Sequence, residues 1–566
     1  MVTNVAPRRV PPALALLLWC ALGTALVQFA LARWAANPGG FSASFWYLLN
    51  AYDTHGNLVL AAIAVLAFLL RREPAALVAV RFAGEHPWPV AGAAFMLLGA
   101  GALTAYHDYP LSMDEYAALF QAQVFASGHL SGRLPPPLQD YLIPTFFQSL
   151  FFTISRASGE VASGYWPGFA LLVAPFAWLG IPWAANPLIG ALSLPALHRL
   201  TRELTGSKQA AGWAVLLCAA SPAFVVSAIS YYAMPAHLLC NLLYALLLLR
   251  ATPKRALLAG LVGGLALTLH NPLPHLLFAL PFIVCLAARR EFASLGTLAA
   301  GYLPLALLLG IGWQHFLAAM LMAQAKASTP EVAAAIAKAI PSVPDKAWGF
   351  MSSAMRLPTA AMLEARIAGL SKIWTWGSAG LMVLAAWGYA AARARTEVKL
   401  LGAALALTFF GYFLVRFDQG HGWGYRYLHS AWFVLPLLGA IALTRPADEE
   451  RHELVQMACW ATLLSLVAAV GLRLAQVDAF IGQHLAQVPP LTRSADRTRP
   501  EVVFMDIRKG FYVQDMVHND PFLRAPRILL VYRGPAEAEA LMTAHFPGYR
   551  RETTGAWGEH WLKPPP

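Results

Sequence analysis

An all-α polytopic membrane protein of about 13 helical spans, with a small external α/β unit at its C-terminal end, is the fold class that the sequence predicts. Three observations predict it. Of 566 residues, 58% are hydrophobic and only 12% are charged, half the roughly 25% charge of a soluble domain. Such a chain cannot cover a water-facing surface, so most of it needs lipid as its solvent. Second, apolar runs recur along most of the chain, and the short basic clusters between them fall on one side when the runs are threaded in order. Third, composition changes after residue 476, where short apolar strands surround one helical stretch.

Taken in order, the first run spans residues 13–32 behind Arg8 and Arg9. It has no clean small-residue cleavage site, so it reads as a retained span rather than a signal peptide. Further runs lie at 57–70, 88–106, 168–200, 210–229, 236–249, 256–269, 273–286, 295–313, 377–392, 400–415, 430–443 and 457–474. Several fall short of the ~20 residues needed to cross about 30 Å, so their ends are expected to reach into flanking aromatic residues. With the N-terminus cytoplasmic, the inside loops hold Arg71, Arg72 and Arg81, then Arg199, Arg202 and Lys208, then Arg250, Lys254 and Arg255. Arg289 and Arg290 come next, followed by Arg393, Arg395 and Lys399, and finally Arg445 and Arg451. The 168–200 run is long enough for two helices but must cross an odd number of times, which suggests one full span with the rest interfacial or re-entrant. Richness in Ala, Arg and Pro suggests a bacterium with a GC-rich genome, and hence the inner (plasma) membrane with the long loops and C-terminus periplasmic.

The chain divides into a transmembrane module at 1–476, with external loops at 107–164 and 314–376, and an external α/β domain at 477–566. In the latter, strands are expected at 502–505 and 527–532 and a helix at 535–545. The net charge of +12 comes from the topology-setting clusters, so no nucleic-acid partner is indicated. The five cysteines all fall inside apolar runs, where they read as packing residues rather than a disulfide framework. Gly260 and Gly264 form a small-xxx-small pair suited to helix packing. No Walker loop or Rossmann fingerprint is present.

The first external loop opens with Asp108-Tyr109-Pro110-Leu111-Ser112-Met113-Asp114-Glu115-Tyr116. Ser112 as N-cap with Glu115 at N3 is a capping-box pattern. The helix that follows has apolar spacing suited to the membrane surface and ends at Gly128, before Pro135-Pro136-Pro137. Two carboxylates thus stand at the membrane–water boundary. They could serve only the helix dipole, or Asp114 could act as a general base with Glu115 capping or making a second polar contact. Adjacent helical residues diverge by about 100°, so the two are not expected to share one job.

Asp114-Glu115-Tyr116 and its Ala-rich helix resemble the acidic signature in the first external loop of GT-C fold glycosyltransferases, the superfamily of protein O-mannosyltransferases and aminoarabinose transferases. The likeness extends to Leu179-Gly180-Ile181-Pro182-Trp183-Ala184-Ala185-Asn186-Pro187, to Ser221-Pro222, and to Arg426-Tyr427-Leu428 followed by Pro436. Two places depart from the pattern: Ser230-Tyr231-Tyr232-Ala233-Met234-Pro235-Ala236-His237 lacks an acidic residue, and His270-Asn271-Pro272-Leu273-Pro274-His275 stands where many members have Arg-Pro.

The resemblance implies a polyprenyl-phosphate-sugar donor and a glycan, lipid or protein acceptor, joined by inverting single displacement. Asp114 would then be the base, and Arg426, with Tyr425 and His421, would bind the phosphate. The alternative for that segment is a Gly-rich turn anchored at the interface. His270, His275 and His237 flank or follow helix breaks and could bind substrate, or be structural. Arg356, Arg366 and Lys372 could bind phosphate or snorkel from amphipathic helices. Asp108, Asp114, Asp418 and His421 could converge on a divalent metal ion, although no zinc-type spacing exists. Two other classes remain open: a secondary transporter, which the acid-poor spans argue against, and a non-catalytic scaffold of envelope polysaccharide assembly.

Overall fold

The computed structural model describes residues 43–75, 77–148, 150–326, 355–415, 423–444 and 449–565, with isolated positions between 15 and 26. Most of the expected first span, together with Asp418 and His421, lies outside the described residues. Among the described residues, five helices are long and apolar enough to cross a bilayer: Trp46–Arg72, Pro87–Thr104, Phe292–Ala323, Thr396–Leu414 and His452–Ala486. Lys208–Ala219 and Pro222–Ala228 form a sixth if taken as one helix bent by 66°. The bend falls at Ser221-Pro222 because Pro222 has no N–H for the preceding turn and instead starts the second helix. Among shorter apolar helices, Val434–Leu443 is buried along its whole length, which explains why it is apolar on every face.

The 168–200 run folds as two helices, Gly168–Trp178 and Ala185–Thr205, about 16 and 31 Å long by residue rise. Only the second matches the thickness of a bilayer core. Pro253–Thr268 packs on Phe292–Leu305 through the small-residue pair: a Cβ on Gly260 would sit 2.2 Å from the Leu298 carbonyl oxygen. His452–Ala486, about 52 Å long, exceeds the apolar thickness and leads directly into the tail.

The tail is a four-stranded sheet of β4 (Glu501–Met505), β5 (Arg527–Val531), β6 (Arg550–Gly555) and β7 (Gly558–Leu562), in the order β5-β4-β7-β6. β4 and β5 run parallel and the other pairs antiparallel, with the helix Pro535–His545 between β5 and β6. A second, antiparallel sheet of β1 (Gly132–Arg133), β2 (Phe152–Ile154) and β3 (Glu160–Ser163) lies between the helices Pro87–Thr104 and Gly168–Trp178. Loop and tail share one core, in which Tyr116, Phe120 and Phe152 pack with Val502, Phe504 and Trp561.

Two expectations need correction here. The helix Met113–Ala126 does not lie with one face on lipid. Its Tyr116 and Phe120 enter the core shared with the tail, while Ala122 packs against Phe169, Ala170 and Val173 of the neighbouring helix. Nor do Arg366 and Lys372 snorkel. Arg366 is buried, donating to the carbonyls of Tyr412 (3.2 Å) and Val415 (3.0 Å) beneath the Tyr427 ring. Lys372 is buried 3.1 Å from Asp53, which also takes Arg473 at 3.0 Å and the Trp376 indole N–H at 2.7 Å. A carboxylate deep in the helix bundle holds both cations there, whereas snorkelling requires a path to water.

Candidate active site

The site is built around the start of the helix Met113–Ala126. The backbone enters it through His107 and Asp108, both in the left-handed region (φ +57° and +50°). That turn delivers Ser112, whose N–H donates to Glu115 Oε2 at 3.2 Å as one arm of a capping box. Leu111 N–H donates to the same oxygen at 2.9 Å. The other oxygen accepts from the Tyr106 hydroxyl (2.9 Å) and the Tyr231 N–H (2.8 Å). Burial pushes the Glu115 carboxyl up to about 7, against the pull of these donors. Both oxygens being taken by the fold, Glu115 binds the helix start to the Tyr231-Tyr232 segment and has little capacity left for a substrate proton.

Asp114, one residue earlier and about 100° around the helix, points elsewhere. It lines a small cavity of about 10 Å³ with Gln121, Tyr165, Trp166, Tyr232 and His270. The Tyr165 hydroxyl donates to its Oδ1, and Arg426 Nη1 donates to its Oδ2 at 3.0 Å. Burial alone would raise this carboxyl, but the Arg426 guanidinium, His270 and the Tyr165 hydroxyl together hold it below the usual carboxylate range. Arg426 is fixed in turn over the Tyr232 ring, its guanidinium carbon 4.5 Å from the centroid. The Tyr232 hydroxyl and Ser112 Oγ are 2.9 Å apart, and Asn186 Nδ2 donates to the Ser230 and Tyr232 carbonyls at 2.6 and 2.8 Å. Acid, arginine and tyrosines therefore form one connected cradle.

The structure distributes the other candidates unevenly. His270 is at the cavity wall, its ring 4.1 Å from that of Tyr165, and its Nδ1 accepts from Asn271 Nδ2 at 2.7 Å. His237 is buried, and neither ring nitrogen has a hydrogen-bond partner among the described residues. His275 lies deeper in the helices. Its Nδ1 donates to Asn241 Oδ1 (2.7 Å), which leaves Nε2 to accept from the Tyr302 hydroxyl (2.6 Å). Tyr425 is buried against Phe409 and Tyr427. Arg356 is exposed, its amide donating to the Leu414 carbonyl at 2.8 Å. Gly424, at φ +68°, makes its close approach to the Trp376 ring, 3.3 Å from where a Cβ would stand. Asp108 accepts from the Tyr231 hydroxyl, and among the described residues no three His, Cys, Asp or Glu side chains gather as a metal site.

Tyr165 and Tyr232 are the cradle residues that sequence reasoning did not select. Tyr165 is 51 residues from Asp114; its only local signal is a Gly-Tyr-Trp-Pro-Gly stretch that reads as a turn. Tyr231-Tyr232 drew notice only for the acidic residue missing there.

The helical bundle and small C-terminal sheet are those of a GT-C type membrane fold. The particular likeness is to the structure of ArnT from Cupriavidus metallidurans bound to undecaprenyl phosphate, with a TM-score of 0.51 and 12% identity over 84% of this chain and 97% of that one. ArnT from the same organism in the apo state matches with a TM-score of 0.48 and 13% identity, over 83% and 97% of the two chains. At such identities the likeness is one of fold. No family model and no curated protein matches the chain.

Proposed function

We propose that the protein is a membrane glycosyltransferase that moves a sugar from a polyprenyl-phosphate donor to a hydroxyl of an envelope lipid, glycan or protein, with inversion. The observation that carries this reading is Asp114, a cavity-facing carboxylate held between the Tyr165 hydroxyl and Arg426. In this reaction the acceptor O–H gives its proton to Asp114 while its oxygen attacks the anomeric carbon. The bond from that carbon to the phosphate oxygen breaks, and polyprenyl phosphate leaves with the electron pair. The leaving group is already an anion, so it needs a cation rather than a proton donor.

Arg426 suits that task, having a planar guanidinium able to grip a phosphate. It also links binding to chemistry. While Arg426 pairs with Asp114, the carboxylate is a weak base; a donor phosphate that draws the guanidinium away makes it a stronger one. A cavity of about 10 Å³ holds roughly one water, so donor entry has to part the Arg426–Asp114 pair. His270, on the cavity wall, and His237 are suited to sugar hydroxyls.

The periplasmic orientation and the assignment of 477–566 as a separate external domain belong to the same proposal. Its test is incubation of purified protein in nanodiscs with a radiolabelled mixed pool of polyprenyl-phosphate sugars and membrane acceptors. Bound donor and label moved to acceptor are expected. Absence of any donor binding would sink the reading.

A further inference from the structure

A second cavity lies at the far end of the bundle from Asp114. The helix Ala185–Thr205 begins at the cradle, through Asn186, and its 21 residues carry it about 31 Å away. Along its second half, with Met234–Leu248 and the start of Pro87–Thr104, runs an open groove of about 800 Å³, a size that accommodates a substantial ligand. Its wall is apolar, formed by Trp88, Leu192, Leu239, Leu243 and Leu246, and its outer end is charged, formed by Arg199, Arg202 and Glu203. His198 is engaged with the Gly84 carbonyl at 2.9 Å.

The charges at that end do not cancel. Glu203 already meets Arg199 at 3.1 Å and Arg255 at 3.5 Å, so one acid faces two arginines, and Arg202 adds a third cation beside them. A helix-lined cleft that is apolar at bilayer depth and cationic at the interface complements one kind of molecule: an amphiphile with an anionic head. Sugar or nucleotide ligands would leave the leucine wall unmatched, and a neutral lipid would leave the arginines unmatched.

We infer that this groove is a binding site for an anionic phospholipid, acyl chain along Leu239 and Leu243 and head-group phosphate at Arg199 and Arg202. The site is on the face opposite the proposed chemistry, and basic clefts between spans hold acidic head groups in this way. It stands whether or not the transferase reading does.

The test uses the full chain in detergent, with lipid retention read by native mass spectrometry for phosphatidylglycerol and phosphatidylcholine. Wild type is expected to retain phosphatidylglycerol preferentially. Arg199→Gln/Arg202→Gln should weaken that preference by roughly 25-fold, about fivefold for each arginine. Leu243→Trp, which fills the groove and leaves both arginines, should release the lipid as well. Equal retention of the two lipids by wild type, or a preference surviving in the double arginine variant, would overturn the inference. So would displacement of phosphatidylglycerol by inorganic phosphate alone, which would mark a simple anion site.

Discussion

Replacing Asp53 with Asn changes almost no volume but removes the charge that holds two buried cations. Asp53, Lys372 and Arg473 are each about 1% exposed, with ion-pair distances of 3.1 and 3.0 Å. In the wild type Asp53 pairs with both Lys372 and Arg473; in Asp53→Asn both lose that carboxylate and meet an amide dipole in its place. Removing one partner of a buried pair typically costs about 3–5 kcal/mol, because the remaining charge is stranded in a medium that solvates it poorly. Lys372→Met breaks the same Asp–Lys contact yet leaves a neutral Asp53–Arg473 pair, with Arg473 still stacked over Trp376 (4.2 Å). Its cost should be far smaller, about 0–2 kcal/mol. Thermal unfolding in one detergent, followed by size-exclusion recovery, compares the two. Asp53→Asn should be markedly less stable than Lys372→Met. Equal destabilisation by both single variants would refute the reasoning, since it would mean that the contacts matter and the charge balance does not.

Other consequences follow from the same packing. Tyr165→Phe removes a donor that helps to hold Asp114 low, so its folded pKa should rise. Because activity through a carboxylate base is lost as pH falls through that pKa, the acid limb of the transfer–pH profile should move to higher pH, with a rate loss of about tenfold. An unmoved acid limb would count against Asp114 as the titrating base. Gly56→Ala places a Cβ 2.2 Å from Arg473 Nη2 and should cost about 1–3 kcal/mol in the same unfolding assay, as overpacking does. Asn519 ties the tail to the acidic loop: its backbone N–H and carbonyl meet the Tyr116 hydroxyl (2.7 and 2.6 Å), and its side chain donates to Leu142 and Leu529 carbonyls. Asn519→Ala should leave those buried carbonyls short of a donor, cost about 1–3 kcal/mol, and speed proteolysis between residues 487 and 565.

What could be read from the sequence was local. The helix start at Ser112–Glu115 was legible because a capping box spans four residues, and Gly260/Gly264 because small residues four apart face one way. The tail strands β4 and β5 and the helix after them carry their own periodicity, whereas β6 and β7 were not read from the sequence. The sheet β1-β3-β2 was not legible, since strands of two to four residues show no alternation to count. Burial of the helix Met113–Ala126 was missed because the tail that covers it arrives nearly 400 residues later, as with Tyr116 and Asn519, 403 apart. The Asp53 cluster draws on helices more than 300 residues apart, as its bond to Trp376 illustrates. No short-range pattern signals such a meeting. For the cradle, Asp114 and Arg426 were selected through resemblance, while Tyr165 and Tyr232, which orient them, came only from the fold.

The claim at the centre is that Asp114 takes the acceptor's proton while Arg426 receives the donor's phosphate. Its most direct test is Asp114→Asn against wild type in nanodiscs, measuring labelled-donor retention and sugar transfer on the same samples. The account predicts that the variant retains donor at least as well, since the Asp114 carboxylate no longer competes with the phosphate for Arg426, while transfer falls by 100-fold or more, about the worth of a general base. Transfer continuing at the wild-type rate in Asp114→Asn would contradict it.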